Sequence, residues 1–370
     1  MRKKFFIISI LICLFTIGVF AESIKENRNG LEVLKGKVTE IEKYGHALLD
    51  ITIEKTFYLG YELGDSVNVV FDNGYTLTDI PLFDGYYVDR GMPLLRAYPT
   101  HKNIAVCINY GKLNEEGNIN VNDKVTISLN QKGKYLADEL LNSLVYSNER
   151  KDYSSDSEFA NFREIKIGAI KKDRLFRSAS PIDNANNRAS YANNLMASVI
   201  IRSVLNLADT EEDVKQHINN SSFDSNYYLN LFESGSVITL GLPIDYYSDS
   251  FGETLVSGIK KLSDMPTPYL IHCTEGKDRA GFASALLEAL SGCTEDEIIT
   301  DYMESFKNYY KITKENNPEK YNAIVDKNIV QMLNVIKGTN ATLETGAYTY
   351  LKKYGMTDDQ IINLIYKLTY

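Results

Sequence analysis

Apolar and polar residues alternate along much of residues 31–135, which is the pattern of half-buried β-strands. The segments ELGDSVNVVF and NVNDKVTISL share one layout, in which Asp65 or Asp123 stands just before alternating apolar residues. The Gly or Asn before each aspartate indicates a turn, so each segment predicts a turn followed by a strand. We therefore predict a β-rich accessory domain over residues 31–140, built as a small barrel or sandwich.

The pattern changes after about residue 162, where short apolar runs alternate with segments of helical period. DRLFRSAS, SVLNLAD, SVITLGLPID and TPYLIH predict short strands that end in loops, whereas YANNLMASVIIR, FGETLVSGIKKL and AGFASALLEAL predict helices. This alternation predicts an α/β catalytic domain over residues 162–370, with a mostly parallel central sheet flanked by helices. The polar stretch from Ser147 to Phe159 is the candidate linker between the two domains.

The N-terminus has the layout of a secretory signal peptide. Basic residues come first, an apolar run follows, and Val19 and Ala21 supply the small-residue pattern of a cleavage site before Glu22. We expect residues 1–21 to be removed and the protein to be secreted or otherwise extracytoplasmic. An uncleaved membrane anchor is the alternative, although the apolar run is short for a membrane span.

Charge and cysteine content narrow the function. The net charge of −9 argues against a nucleic-acid partner, so a site for a phosphorylated substrate has to build its positive charge locally. After the predicted cleavage site the cysteines are Cys107, Cys273 and Cys293. Because this number is odd, at least one thiol is expected to be unpaired within the chain.

One loop, between the predicted strand TPYLIH and the predicted helix AGFASALLEAL, carries a constellation with clear chemistry. It begins at Cys273, ends at Arg279, and holds in between Thr274, Glu275, Gly276, Lys277 and Asp278. Backbone amides converge at such a helix N-terminus, where the helix dipole favours an anion. A cysteine there has a lowered pKa, and Arg279 can hold two phosphate oxygens in a planar fork.

Nucleophile, anion cradle and bidentate cation together predict hydrolysis of a phosphomonoester through a phosphocysteine intermediate. The predicted mechanism requires no cofactor and no metal. A metal site is disfavoured separately, because no second Cys or His stands at metal-ligand spacing. A nucleotide-binding loop is disfavoured as well, because Asp278 rather than Ser or Thr follows Lys277.

The motif HCTEGKDRAG closely resembles the signature of cysteine-dependent protein tyrosine phosphatases, in the bacterial branch with His-Cys-x-x-Gly-Lys-Asp-Arg. The segments LFRSASP, VLNLAD and DEIITDYMES are similar to further parts of that family, so the resemblance covers about residues 165–370. It implies the cysteine-phosphatase fold, with Cys273 as the nucleophile and Arg279 as the phosphate clamp.

The resemblance also implies roles for neighbouring residues. His272 is expected to tune the cysteine, and Lys277 and Asp278 to contact the substrate, with Asp278 able to transfer a proton. The residues expected around the phosphate are Thr274, Glu275, Gly276, Lys277 and Ala280. Arg177, in LFRSASP, is either a further cation on the substrate side or an ion-pair partner within the fold.

Two features depart from the family pattern. Ala280 stands where the family usually has Ser or Thr, and that hydroxyl stabilises the thiolate as it leaves the phosphocysteine. The chain also lacks tryptophan, so the Trp-Pro-Asp loop that carries the general acid is absent as such. We favour Asp245, in GLPIDYYSD, as the general acid, with Asp249 and Asp278 as alternatives.

The sequence thus predicts a secreted phosphomonoester hydrolase whose preferred substrate is phosphotyrosine in a protein, with a phosphorylated lipid as a further substrate. The carboxylate of Glu275 beside the phosphate disfavours very polyanionic substrates such as phytate. One alternative is a phosphoinositide or inositol-phosphate phosphatase. The other is a phosphate-binding relative whose turnover is weak because Ala280 has no hydroxyl.

Overall fold

The computed structural model describes residues 31–220 and 225–370. The chain divides into two compact units, which meet in sequence between Ser143 and Leu144. The predicted signal peptide, residues 1–21, lies outside the described residues. Within the described ranges, no helix combines the length and the apolar character that crossing a membrane requires.

The first unit is a closed barrel of seven strands. The strands are β1 Leu34–Ile41, β2 Ala47–Thr52, β3 Ser66–Phe71, β4 Thr76–Phe83, β5 Pro93–Arg96, β6 Asn103–Ile108 and β7 Lys124–Gln131. Their order around the barrel is β1-β2-β6-β5-β4-β3-β7, and only the β4–β5 pair is parallel. Three short helices accompany them: α1 Ile53–Tyr58, α2 Leu113–Glu116 and α3 Leu136–Asn142.

Both predicted turn-plus-strand segments are present in the barrel. Asp65 accepts a hydrogen bond from the amide three residues before it (2.8 Å), and Asp123 does the same (2.7 Å). Strands β3 and β7 begin directly after these aspartates. Alternate residues of β3 fill the barrel core, so the period of two in the sequence corresponds to one buried and one outer face.

The second unit contains a five-stranded sheet of order β11-β10-β12-β9-β8. Its strands are β8 Arg163–Ile165, β9 Leu175–Ser178, β10 Ser203–Asn206, β11 Val237–Thr239 and β12 Tyr269–His272. Strand β12 pairs in parallel with both β10 and β9, and only the edge strand β8 runs antiparallel. The loop that follows Cys273 therefore starts at the carboxyl end of the central strand.

The helices of the second unit follow the periodicity of the sequence. They are α4 Asp156–Phe159, α5 Ala189–Ser198, α6 Glu211–Asn220, α7 Asn226–Glu233, α8 Asp249–Asp264, α9 Asp278–Leu290, α10 Glu295–Tyr310, α11 Pro318–Ile324, α12 Val330–Lys337, α13 Leu343–Lys353 and α14 Asp358–Thr369. A π-helical turn, Val325–Ile329, joins α11 to α12. Helix α9 is buried along 11 of its 13 residues, which explains why its sequence lacks a polar face.

The predicted fold class needs one correction. The largest sheet in the described residues is the closed mixed barrel, so a mostly parallel central sheet does not describe the chain as a whole. Apart from the β4–β5 pair, parallel pairing is confined to β9–β12. Helices stand between those four strands along the chain and supply the crossovers that parallel pairing needs, whereas most barrel strands are joined by short connections.

The segment from Ser147 to Phe159, expected to be a linker, instead packs into the second unit. Tyr153 and Phe159 are buried and lie against the guanidinium of Arg188. Arg188 also donates to the backbone carbonyls of Ser147 and Phe159, at 2.8 and 2.9 Å. Two aromatic anchors and one buried cation thus fix a stretch whose polar composition had indicated a flexible connection.

Candidate active site

The loop from Cys273 to Lys277 leaves the end of β12 and leads directly into α9. No backbone amide from residue 274 to residue 280 donates to a protein acceptor in the described part of the chain. The first such bond of the helix runs from the Gly281 amide to the carbonyl of Lys277 (3.0 Å). These seven amides thus have no protein acceptor, and those at the helix N-terminus are available to an anion.

Cys273 lies at the bottom of this cradle, with only 3% of its surface exposed. His272, just before it, is fully buried, and burial lowers the pKa of its imidazole to about 3. Its Nε2 lies 3.5 Å from the hydroxyl of Tyr228. Because His272 is neutral near pH 7, stabilisation of a thiolate at Cys273 has to come from the loop amides and Arg279.

The shape of the loop depends on Gly276. Its φ is +67°, and a Cβ at this position would lie 2.2 Å from the carbonyl oxygen of Ser178. Only glycine fits here without displacing β9, because the obstacle is backbone. This close approach lets the loop fold tightly over the end of the sheet.

Arg177 supports the loop from behind and has no access to a substrate. It is fully buried, and its guanidinium donates to the carbonyls of Gly276 (2.9 Å) and Lys277 (3.1 Å). It also pairs with Asp301 at 2.6 Å. Of the two roles that the sequence left open, the ion pair is the one seen in the structure, and the side chain is buried rather than exposed toward a substrate.

Further residues that support the loop carry no signal of this role in their own sequence positions. Asn161 donates to the carbonyl of Glu275 (3.1 Å), and the hydroxyl of Tyr309 donates to the same oxygen (2.6 Å). Arg163 pairs with the same Asp301 that holds Arg177. Asp301 lies within DEIITDYMES, so the similarity of that segment to the phosphatase family was the one available signal for this network.

Arg279 connects the loop to a second loop, Leu240–Ser248, which follows β11. One guanidinium nitrogen donates to the carbonyl of Leu242 at 2.9 Å, and another donates to the hydroxyl of Thr274 at 3.1 Å. Its Nε is buried without a protein partner among the described residues. The guanidinium is thus held at the mouth of the cradle with donor capacity to spare for an anion.

The positive charge of Lys277 is balanced by neighbouring carboxylates. Its ammonium lies 2.9 Å from a carboxylate oxygen of Glu275, 3.8 Å from Asp278 and 3.2 Å from the hydroxyl of Tyr310. Burial disfavours the charge, but Asp278 and Glu275 outweigh it and raise the pKa of Lys277. Glu275 also accepts a hydrogen bond from Tyr146. One wall of the site therefore has a cation whose charge is already balanced.

The three candidates for the general acid differ in burial and in their ion pairs. Burial raises the pKa of Asp278, the first residue of α9, against the opposing effect of Lys277. Asp245 is exposed, and its side chain makes no hydrogen bond or ion pair with any other described residue. Asp249 is exposed and pairs with Lys353 at 2.8 Å, which lowers the pKa of Asp249. Of the three, only Asp278 belongs to the Cys273 loop and its helix.

Ala280 is fully buried in the first turn of α9 and presents only a methyl group. The hydroxyl of Thr274, in the loop before the helix, is engaged by Arg279. In residues 31–220 and 225–370 there is no group of three or more His, Cys, Asp or Glu side chains arranged to hold a metal ion.

A family model described as the tyrosine phosphatase family matches residues 157–370, which is more than half of the chain. A curated protein of Cupriavidus necator, provisionally named as a tyrosine-protein phosphatase, is 56% identical over 36 residues. That match spans 10% of this chain and 13% of the relative, so the chain covers only a small part of the relative's length.

Solved structures give weaker similarities. The core catalytic domain of the yeast PP-IP phosphatase SIW14, in complex with citrate, aligns with a TM-score of 0.26 at 15% identity, over 47% of this chain and 90% of that one. TpbA of Pseudomonas aeruginosa aligns with a TM-score of 0.23 at 13% identity, over 55% and 95%. A conserved protein of Thermotoga maritima has a TM-score of 0.23 at 16% identity, over 27% and 38%. Alignments at this level do not support an inference about activity.

Proposed function

Since the chain belongs to the tyrosine phosphatase family, we propose that it hydrolyses phosphomonoesters with Cys273 as the nucleophile and Arg279 as the phosphate clamp. The observation that carries this proposal is the set of unpaired amides of residues 274–280 around the cysteine. They supply an electrostatic cradle for the three non-bridging oxygens of a phosphoryl group.

The proposed reaction has two steps. The Cys273 thiolate attacks phosphorus, the bond to the leaving oxygen breaks, and that oxygen takes a proton from a carboxylic acid. Water then attacks the phosphocysteine and gives a proton to the carboxylate, the S–P bond breaks, and inorganic phosphate is released with the thiolate and the carboxylic acid restored. Arg279 and the loop amides neutralise the charge on the transferring group in both steps.

Within this activity we propose phosphotyrosine in a protein as the preferred substrate. Lys277 is already paired with Glu275, and Asp278 adds a second acidic side chain beside the cradle. Ile244 and Tyr247 are 60% and 72% exposed on the loop that borders Arg279, so they offer apolar contacts outside the cradle. A single phosphate on an aromatic group suits these surroundings better than a ring that carries many phosphates.

A substrate panel tests this preference. We expect kcat/KM for a phosphotyrosine peptide to exceed that for inositol hexakisphosphate by at least about tenfold, because the extra phosphates would lie near Glu275. A phosphatidylinositol monophosphate completes the panel, and Glu275→Gln is the matched variant. Removing the carboxylate should raise kcat/KM for inositol hexakisphosphate relative to kcat/KM for the peptide. A higher kcat/KM for inositol hexakisphosphate in the parent would contradict the preference.

We further propose that the protein is exported, on the basis of the basic and apolar order of residues 1–21. N-terminal sequencing of the protein from its native host should give a chain that begins near Glu22. A mature protein that still begins at Met1 or Arg2 would contradict cleavage and favour a membrane anchor.

A further inference from the structure

Tyr246 carries a buried hydroxyl that no described residue engages. The ring itself is tightly held: it stacks on Phe282 with centroids 5.2 Å apart and planes within 2°, and it meets the edge of Phe251 at 5.2 Å. Burial of a hydroxyl without a partner is unfavourable, and a phenylalanine would fill the same aromatic cluster without that cost. The oxygen is therefore available to bind a ligand.

The elements around Tyr246 are those that build the phosphate cradle. Phe282 lies on α9 one turn after Arg279, so the ring rests on the helix that opens the site. Tyr246 belongs to the loop Leu240–Ser248, and the carbonyl of Leu242 in that loop accepts a hydrogen bond from Arg279. The position of Tyr246 is therefore linked to that of Arg279 in two ways, through helix α9 and through the loop that contains Leu242.

The hydroxyl of Tyr246 is affected electrostatically by the charged groups of the site. Burial raises the pKa of Tyr246, Asp278 and Cys273 raise it further, and Arg279 opposes them. The phenol is therefore neutral at physiological pH and is a hydrogen-bond donor. The influence of all three groups agrees with the geometry, in which the ring stacks on Phe282 of α9 and belongs to the loop that Arg279 contacts.

We propose that Tyr246 is a phosphate-contacting residue, whose hydroxyl donates a hydrogen bond to a non-bridging oxygen of the phosphoryl group held by the Cys273 loop. The proposal rests on the phosphatase function proposed above. It gives the site a neutral hydroxyl donor from a neighbouring loop. Ala280, in α9, supplies only a methyl group. The hydrogen bond forms to the dianion, so it persists through both steps and requires no proton transfer from the phenol.

The test is Tyr246→Phe, which removes the hydroxyl and keeps the stacking on Phe282. The matched control is Tyr350→Phe, because Tyr350 also lies against Phe282, at 5.9 Å, and also has a buried hydroxyl without a partner in the described ranges. Neither Cys273, Asp278 nor Arg279 contributes to the electrostatic environment of Tyr350. The two variants therefore differ in the proximity of the lost hydroxyl to the cradle.

We expect Tyr246→Phe in the full-length protein to weaken competitive inhibition by orthovanadate about tenfold and to lower kcat/KM for p-nitrophenyl phosphate by a similar factor. The loss should be uniform for aryl phosphates of differing leaving-group pKa, since the contact is to a non-bridging oxygen. Tyr350→Phe should leave both quantities within twofold, and the melting temperatures of the two variants should agree with each other.

Two results would overturn the inference in distinguishable ways. If the parent turns over substrate and Tyr246→Phe matches it in vanadate inhibition and kcat/KM, the hydroxyl does not contact phosphate, while the proposed function stands. If the parent neither turns over p-nitrophenyl phosphate nor binds vanadate, the proposed function fails, and this inference fails with it.

Discussion

Substituting Cys273 by serine is expected to lower turnover of p-nitrophenyl phosphate by roughly 10⁴-fold or more, the scale on which loss of a catalytic nucleophile reduces kcat. A serine hydroxyl has a far higher pKa than a thiol and has no general base beside it, since His272 is buried and is held neutral by its lowered pKa. Binding of inorganic phosphate should persist within a few-fold, because the loop amides and Arg279 are unchanged. Initial rates and calorimetric titration with phosphate measure the two effects.

Cys293→Ser is the matched control for this substitution. Cys293 is also an unpaired and buried cysteine, and burial raises the pKa of its thiol to about 12, so it remains protonated. We expect this variant to retain turnover. Substantial residual activity in Cys273→Ser would refute the nucleophile assignment. A parent that binds phosphate but hydrolyses no p-nitrophenyl phosphate would instead support the alternative of a weak phosphate-binding relative.

Replacing Asp278 by asparagine is expected to lower kcat by about 10²–10⁴-fold for aryl phosphates with poor leaving groups, the usual contribution of a general acid. The sequence favoured Asp245 for this role, and the structure moves the expectation to Asp278. A general acid has to be protonated, so activity falls as the pH rises through its pKa. Because burial raises the pKa of Asp278, the protonated form persists to higher pH than it does for an ordinary carboxyl group. Measurement of kcat against pH and leaving-group pKa should show that the fall in kcat at alkaline pH is lost in Asp278→Asn.

Asp245→Asn and Asp249→Asn serve as controls on the neighbouring loop and helix. Both side chains are exposed, and Asp249 is paired with Lys353, so we expect changes in kcat of less than about threefold. The opposite pattern, in which Asp245→Asn penalises poor leaving groups and Asp278→Asn does not, would show that the proton comes from the loop after β11.

The local pattern of the sequence was sufficient to predict the strand, loop and helix around Cys273. An apolar run, a Gly-containing polar loop and an Ala-rich helix are neighbours in the chain, and the structure has them as β12, the loop and α9. The burial of Arg177 could not be predicted in this way. Its main partner, Asp301, is 124 residues away, and a charged residue gives no indication in sequence of whether it faces water or a distant carboxylate.

The linker prediction failed for a related reason. Composition describes the average polarity of residues 147–159, but it does not show that Tyr153 and Phe159 pack against Arg188. The preference for Asp245 relied on its position in a loop that follows a strand. Such a position does not reveal that the side chain is exposed, nor that burial raises the pKa of Asp278 instead.

The way Arg177 holds the phosphate loop has a consequence for protein engineering. The signature from His272 to Gly281 is contiguous, yet the contacts that turn its carbonyls away from the cradle come from Asn161, Arg177 and, through Arg177, Asp301. A graft of the signature alone onto another strand–helix junction would transfer the reactive cysteine without the scaffold that shapes its surroundings. The smallest transplantable unit of this site is therefore defined by a three-dimensional set of residues from the segment before β8 and from β9, β12, α9 and α10.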